Sequence, residues 1–401
     1  MRSPGSAVKA VIRHRRPDPE CWEVVVRAAC NPLGGSWDAA KTVAQAGSAV
    51  SGHADRLAKA LATRLGNVEE LALALAGMGD LRALSALERI AKDGRLPYAR
   101  PWAPHLAALP AAELLPAILP GLRSEPPPYQ AGFMLELLAL WGTAAAPAVP
   151  EVVRYLETPY AYDALRVLGR IGPPAAVAAD GLAAYATGHA PRTSRLHQRR
   201  AAWAHWRVTG DPTLALDVCG AAVGSGTAGH GLPFLADLGP LAAEHADTVR
   251  GLMESPGAWT RVAAAHAYWR ITGDPGPAVP VLLAEVDPDW TGQPAFPTRE
   301  AIRRLGAIGA PAAASAPLLR RILAAEKRLS HPYDGVRILV DEAYVRTLTE
   351  ALARIGAGAD APAAAPEPAP ESVPEPAPQP SPGPRRGVLG RWLGPRGART
   401  S

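Results

Sequence analysis

One short segment of this chain matches a pattern that binds nucleotides. Residues 224–229 read GSGTAG, the G-x-G-x-x-G spacing whose glycines let a backbone approach a pyrophosphate. That chemistry requires a strand before the glycines and a helix that opens within them. Here an apolar helical stretch precedes the segment, and His230-Gly-Leu-Pro233 follows it. We therefore interpret it as a loop between helical units rather than a dinucleotide site.

Other residue types that perform chemistry are present without the spacing that chemistry needs. The chain has no His-Glu-x-x-His, G-x-S-x-G or P-loop motif, and of its ten histidines none is followed by Glu; only the reversed Glu244-His245 occurs. Cys21, Cys30 and Cys219 lack metal-type spacing and are interpreted as small, buried apolar residues. The sequence therefore predicts no catalytic, cofactor-binding or metal-binding residues, and no intrinsic enzymatic activity.

Two Trp-Arg pairs are unusual: Trp206-Arg207 and Trp269-Arg270, 63 residues apart. The two guanidinium groups could line a surface for an anionic or aromatic partner. Alternatively, each Arg lies along its Trp and pairs with a nearby carboxylate such as Asp211 or Asp274. The second interpretation is favoured, because a buried stripe more often carries structure.

Loops and helix faces supply the remaining candidates for partner binding. Long connections at 93–104, 124–130, 187–198, 287–298 and 326–341 are rich in Arg, His and aromatic residues, the types that dominate binding energy. Alternatively, these rings tuck onto the nearest helices and the arginines pair with local glutamates. With Arg207 and Arg270, the candidate residues are Arg95, Tyr98, Trp102, Arg154, Arg195, His197, Trp290, Arg320, Arg321 and Trp392.

These residues are carried by a ladder of helix-ending glycines. The ladder positions, 29–47 residues apart with Pro110 in one place, are Gly47, Gly79, Pro110, Gly142, Gly172, Gly210, Gly239, Gly273, Gly309 and Gly356. The residue four before each position is apolar in all ten cases. The residue three before is Ala or Gly in eight, and this column of small residues is expected to let a neighbouring helix come close. A second apolar run follows several positions, so each unit is predicted as helix, tight turn, helix. Neither helix buries its stripe alone, so the units must stack.

The turn itself has a recognisable sequence in two units. Gly210-Asp-Pro and Gly273-Asp-Pro place a glycine where a helix ends in a left-handed residue. The Asp is expected to accept hydrogen bonds from free N–H groups at the start of the next helix.

Residues 79–87 (GDLRALSAL) and 269–283 (WRITGDPGPAVPVLL) resemble HEAT repeats, especially the bacterial phycobilisome-lyase-like type. The resemblance covers about residues 38–358. It implies an all-α fold, a right-handed α-solenoid of about ten helical hairpins, with second helices lining the concave face. It says little about function, because such repeats serve many roles.

Composition divides the chain into four predicted parts. Residues 1–19 are predicted to be a basic, flexible N-terminus, and 20–358 to be the α-solenoid. Residues 359–384, with four acidic and no basic groups, contain ten prolines interspersed with other residues and are predicted to be a disordered linker. Residues 385–401 hold five arginines and no acid, a basic tip that includes Trp392. The positive charge therefore sits mainly at the ends, while the body is near neutral.

Targeting signals give one further expectation. The N-terminus has no apolar core of a signal peptide, and no uninterrupted apolar stretch approaches about 18 residues, so we expect a cytoplasmic protein without a transmembrane segment. The tip, residues 385–401, is expected to give at most weak, salt-sensitive contact with an anionic membrane.

Three functions remain open at this stage. The first is a non-catalytic scaffold that binds one or more protein partners. The second is an enzyme or enzyme accessory similar to the lyase-like or glycosylase-like HEAT proteins, which use concave aromatic and acidic residues. The third is binding of nucleic acid or an anionic surface through the basic termini; the near-neutral body counts against nucleic acid.

Overall fold

The structure, a computed structural model, describes residues 3–31, 36–63, 66–97, 100–125, 127–191, 193–225, 228–330 and 336–357. All regular secondary structure in these ranges is helical, which confirms the predicted all-α class. The α-helices are α1 (Pro4–Arg13), α2 (Pro19–Ala29), α3 (Trp37–Ala46), α4 (Ala54–Ala62), α5 (Val68–Gly77), α6 (Leu84–Lys92), α7 (Ala103–Ala107), α8 (Ala111–Leu122), α9 (Ala131–Trp141), α10 (Val149–Arg154), α11 (Ala161–Ile171), α12 (Ala179–Ala186), α13 (Arg195–Thr209), α14 (Thr213–Val223), α15 (Leu232–Leu238), α16 (Ala246–Gly251), α17 (Ala258–Thr272), α18 (Ala278–Ala284), α19 (Thr298–Ile308), α20 (Ala316–Leu323) and α21 (Arg337–Gly356).

Short 3₁₀ segments connect many of these helices. They are Gly47–His53, Leu81–Ala83, Arg100–Trp102, Gly142–Ala148, Tyr155–Glu157, Pro173–Ala178, Ala228–His230, Gly239–His245, Leu252–Glu254 and Ala310–Ser315. The predicted linker and tip, residues 359–401, lie outside the described residues.

The predicted ladder glycines end helices in two ways. Eight of the nine have positive φ; the exception is Gly356. Gly210 and Gly273 are left-handed, with φ/ψ of 82/−8° and 75/−4°. The predicted bond from Asp to the next helix is found after Gly210 but not after Gly273, where Asp274 accepts the Gly276 N–H at 2.9 Å, before α18 begins. Asp211 accepts the N–H of Thr213 at 3.0 Å. At Gly47, Gly142, Gly172, Gly239 and Gly309, ψ lies instead between −122° and −142°, and the chain continues as a 3₁₀ segment.

The ladder glycines also show how consecutive units pack. A Cβ on Gly142 would lie 3.4 Å from the Arg170 carbonyl oxygen, near the end of the next ladder helix, α11. The same relation recurs along the chain, pairing Gly47 with Gly77, Gly79 with Ala108, Gly172 with Arg207, Gly239 with Arg270 and Gly309 with Arg354. At these positions consecutive ladder helices lie side by side with their C-terminal ends aligned, whereas at Gly210 and Gly273 no neighbouring element lies within 4 Å of an added Cβ.

The column of small residues brings two helices unusually close at Gly306. A Cβ there would lie 2.6 Å from Ala351 Cα, a backbone atom of α21. We expect Gly306→Ala to push α19 and α21 apart and to lower the free energy of unfolding by about 1–3 kcal/mol, as overpacking does. Urea denaturation measures this. The matched control is Gly251→Ala in α16, where no atom lies within 4 Å of the added Cβ. Equal effects from the two variants would contradict the close approach.

The predicted flexible N-terminus is instead ordered over most of its length. Residues Pro4–Arg13 form α1, and Ala7, Val8 and Val11 are buried on one side of it. Ser3 caps this helix by accepting the Ser6 N–H, and Pro4 opens its first turn. The boundary at residue 20 is therefore corrected: the packed body begins with α1, because this apolar stripe makes it part of the core.

The two ends of the described body contact one another. The backbone N–H of Arg15 donates to the Glu326 carbonyl at 2.8 Å, and that of Arg328 donates to the Arg13 carbonyl at 2.9 Å. These two bonds flank an isolated antiparallel bridge between His14 and Lys327. Helix α21 also packs against α3. Nothing in the periodicity of the sequence indicated this contact.

One stretch of the described residues is long and apolar enough to span a membrane by composition. This stretch is Ala131–Glu157. Eighteen consecutive residues within it have a mean hydropathy of 1.4, and half of these residues are buried in the protein. Gly142, with φ 55°, ends α9 within this stretch, and a 3₁₀ segment separates it from α10. The stretch is thus a helical hairpin of the repeated kind rather than one continuous α-helix.

Candidate functional site

A cavity of about 430 Å³ opens between α3, α5, α6, residues 95–97 and Trp102. Part of its lining is apolar, formed by Ala44, Leu73, Leu87, Ile90 and Leu96. Indole rings of Trp37 and Trp102 contribute aromatic walls, and Val336, immediately before α21, contributes from the other end of the chain. Its size and its mixture of apolar and polar groups are those of a small-ligand or side-chain pocket.

Trp37 is placed at the cavity by the way α3 begins. Ser36 caps the helix by accepting the Ala39 N–H at 3.3 Å, so Trp37 is its first residue. The ring remains 58% exposed. Its Nε1–H donates to Glu70 Oε1 at 3.2 Å, and Lys41 Nζ, one turn later, lies 4.7 Å from the ring centroid. The indole is thus oriented by two neighbours while most of its surface faces solvent.

The charged groups around the cavity differ in their pairing. Arg95 is engaged by Glu69 at 2.5 Å and by Asp93 at 3.0 Å. Lys41 and Glu70 form no ion pair within the described part of the chain. Lys41 lies over the Trp37 ring, and Glu70 accepts a hydrogen bond from it. One positive and one negative group therefore remain available to an occupant.

The Trp102 ring packs against a buried histidine, His105. The Trp102 and His105 rings meet edge to face, with centroids 5.5 Å apart. Burial, and to a lesser extent the charge of Arg346, lower the pKa of His105 to about 4. At neutral pH this imidazole is therefore uncharged, and it packs tightly against Gly77 of α5.

The groups around the cavity are apolar, aromatic and charged, an arrangement suited to binding. Within the described residues no group of three His, Cys, Asp or Glu side chains is placed to hold a metal ion. Burial raises the pKa of Cys219 to about 12, which leaves that thiol protonated. The glycine-rich residues 224–229 follow α14 rather than a strand; 226 and 227 lie outside the described residues.

The predicted partner-binding residues do not form one surface. Arg95 and Trp102 are brought together at the cavity, and Tyr98 and Trp392 lie outside the described residues. Arg154 pairs with Glu125, whereas Arg195, Arg320 and Arg321 are exposed on α13 and α20. His197 takes part in capping α13 and lies 5.6 Å and 6.1 Å from the rings of Tyr162 and Tyr185.

Trp290 is buried rather than presented to a partner. It is 7% exposed, its ring lies 4.9 Å from that of Tyr344, and its Nε1–H donates to the Gln293 carbonyl at 2.9 Å. This corresponds to the alternative in which a loop aromatic tucks onto the nearest helices.

The Trp-Arg pairs have the geometry expected for packing, with different polar partners. The Arg207 guanidinium lies 5.7 Å from the Trp206 ring, and that of Arg270 lies 5.9 Å from Trp269. Arg207 is 3.7 Å from Asp237, and Arg270 donates to the Ala236 carbonyl at 3.3 Å.

The expected partners Asp211 and Asp274 are occupied elsewhere, because each accepts a backbone N–H in the turn that follows its own helix. The arginines reach sideways to the neighbouring ladder helix, α15, and not forward along their own chain.

Most of the residues that line the cavity are not among the candidates from the sequence. Trp37 and Lys41 are separated by one helical turn, a spacing that places them on one face, and Glu70 lies in the first turn of the next ladder helix. That spacing was a usable signal for a shared site. Val336 was not predictable in this way, because it reaches the cavity only through the contact between the two ends of the body.

Comparison with known proteins gives no functional assignment. No protein-family model matches this chain, and no curated protein shows a significant match to it. Its function is therefore inferred from the fold and the cavity.

Proposed function

We propose that this protein is a non-catalytic interaction scaffold, a right-handed HEAT-like α-solenoid that binds an extended, proline-containing segment of a partner protein in the Trp37–Trp102 cavity. The observation that carries the proposal is the combination of the exposed Trp37 indole, the Trp102 indole and an apolar floor in one cavity. The aligned ladder helices support the solenoid, since each unit buries its stripe only against its neighbours.

The shape of the cavity favours an extended segment. A partner helix needs a groove long enough for anchors at i, i+3, i+4 and i+7, whereas this cavity accepts one or two side chains. Aromatic walls suit proline in particular, because polyproline II segments dock into aromatic-lined grooves with little loss of conformational entropy.

The rim adds polar recognition. Glu70 accepts a hydrogen bond from the Trp37 ring, and the Lys41 ammonium lies over that ring without a carboxylate partner among the described residues. Together they offer one acceptor and one donor to the partner's backbone and flanking side chains. Because these two charges are opposite and local, the partner segment needs no strong net charge.

We expect Trp37→Ala to weaken the binding of a fluorescein-labelled decaproline peptide by roughly tenfold or more, as loss of an aromatic anchor does. Fluorescence polarisation measures the dissociation constant. The fold should be unaffected, because this residue is largely exposed.

The matched control is Phe296→Ala, which removes a ring of similar exposure, 56%, from a distant loop. It should leave the affinity unchanged. No peptide binding to the unaltered protein, or equal losses from the two variants, would reject this docking site. Lys41→Ala and Glu70→Gln should each weaken binding by a smaller factor.

A further inference from the structure

The buried apolar side chains of the described body fall into two clusters. The first contains residues between Ala7 and Val208 together with Ile338, and the second contains residues between Ala215 and Ile355. Helix α21 therefore contributes to both: its first turn to the first cluster, and the rest of its length to the second.

The two clusters meet at an apolar seam formed by Trp206 and Phe234. Both rings are only partly buried, and each packs against both clusters. Phe234 lies 5.7 Å from the buried Trp203 ring. The chain passes from the first cluster to the second between Val208 and Ala215, through the turn at Gly210. An added Cβ on Gly210 would meet no neighbouring element within 4 Å, so this turn is loosely held, as a hinge requires.

The clusters also meet at a polar contact that we call the clasp, formed by Arg15, Arg328 and Asp341. Asp341 is fully buried; its carboxylate accepts from Arg15 at 2.9 Å and from Arg328 at 2.8 Å. Arg328 also donates to the Val11 carbonyl at 3.0 Å, and Arg15 donates to the Ile322 carbonyl at 2.9 Å. Both arginines thus reach across from one end of the body to the other.

The chemistry of the clasp makes it two-state. A buried carboxylate is tolerated only while its partners are in place, so a partly opened clasp would leave a charge both unpaired and dehydrated. When the ends separate fully, all three groups regain water. We propose that the clasp is a gate: it opens and closes as a unit while the two clusters, intact apart from Ile338, pivot about the Trp206–Phe234 seam.

The segment that carries one residue of the clasp also forms part of the cavity wall. Val336 lines the cavity, and the next residues begin α21, which carries Asp341. Ile338 N–H donates to Gln45 Oε1 at 3.2 Å, on the same helix as Lys41 and Ala44. Opening the clasp would withdraw this wall, so an occupant of the cavity favours the closed state. This link to ligand binding rests on the proposed function; the gate itself does not.

Distances between spin labels test the gate. In a Cys30→Ser background, labels at Lys9→Cys and Arg321→Cys, two exposed positions, span the clasp, whereas labels at Lys9→Cys and Arg89→Cys lie in the same cluster. We expect Asp341→Asn to lengthen and broaden the first distance and to leave the second unchanged. If neither distance changes, or if both do, the gate is overturned.

A disulfide provides the reverse test. His14 and Lys327 face each other in the antiparallel bridge, so His14→Cys with Lys327→Cys should cross-link when oxidised. Without labels, the oxidised form of Asp341→Asn should regain slow hydrogen exchange at the Ile338 amide, and the reduced form should lose it; equal exchange in both forms overturns the gate.

Decaproline binding then separates the two proposals. If oxidation restores the decaproline affinity of the Asp341→Asn protein with the cysteine pair, the link between clasp and cavity is supported. If oxidation leaves this affinity unchanged, the link is rejected. If Trp37→Ala leaves decaproline binding unchanged, the proposed function is rejected. The gate is then still tested by the distances between the spin labels.

Discussion

Replacing Asp341 by alanine should destabilise the contact between the two ends of the body by about 3–5 kcal/mol, the largest effect we expect from one polar side chain. The carboxylate is fully buried and pairs with two arginines whose side chains are 8% and 1% exposed. Its removal leaves two buried positive charges without their counter-ion. Glu342, bonded to Arg328 at 2.6 Å, compensates for only one of them.

The loss should appear first at the clasp. Amide hydrogen exchange of the first turn of α21, including Ile338, reports the free energy of this local opening. A change of about 3–5 kcal/mol corresponds to exchange faster by roughly two to four orders of magnitude. Amides in the middle of α11 should respond much less, because that helix lies within the first cluster.

The matched control is Asp55→Ala. This side chain also pairs with an arginine, Arg82, at 2.8 Å, but it is 98% exposed. An exposed pair contributes little, so the change should stay below about 1 kcal/mol. Similar effects from the two variants would mean that water reaches Asp341 and that the clasp is not a buried charge cluster.

The helical hairpins were readable from the sequence because their signals are local. Gly210-Asp-Pro combines a residue that tolerates positive φ with a side chain that caps the following turn, and both functions are found in the structure. The small-residue column likewise predicted close helix approach, which Gly306 shows against Ala351. Such features depend on a few consecutive residues and the helical period, so a single sequence suffices.

The contact between the ends was not readable, because it joins residues hundreds of positions apart. Arg15 looked like part of a basic tail, and its partner Asp341 looked like one acid in an ordinary loop or helix. A buried ion cluster has no sequence period. Only an unpaired apolar stripe, here Ala7, Val8 and Val11, hinted that the N-terminus was folded.

Two of the residues that line the cavity, Arg95 and Trp102, are also candidates from the sequence, and their role in binding a partner stays a prediction. Arg95 and Trp102 were selected because loops with Trp and Arg often bind partners, and both line the cavity. Trp290 was selected on the same grounds and is buried. The difference between them is tertiary: Trp290 finds Tyr344 beside it, whereas Trp102 packs one edge on His105 and stays half-buried. Residue type alone does not distinguish these cases.

Acid should destabilise this protein through His105 by about 3 kcal/mol between pH 6.5 and pH 4. Burial is the main cause of its lowered pKa, and the nearby charge of Arg346 acts in the same direction. The carbonyls of Ala44 and Gln45 act in the opposite direction, but the pKa is still lowered to about 4. In the unfolded chain the pKa returns to its ordinary value near 6.5.

The sign of the effect follows from proton uptake. As the pH falls below 6.5, the unfolded chain binds a proton at this position while the folded protein does not, so folding becomes less favourable. The contribution is constant above pH 6.5, falls between 6.5 and 4, and levels off below 4, where both states are protonated.

Comparison with His105→Gln isolates this contribution, because glutamine does not titrate in this range while the other groups of the protein are kept. Between pH 7 and pH 4, urea denaturation should show the unfolding free energy of the unaltered protein falling by about 3 kcal/mol relative to that of the variant. Parallel curves would mean that His105 is protonated as readily in the folded protein as in the unfolded chain. The neutral, tightly packed imidazole behind Trp102 would then be the wrong description of this wall of the cavity.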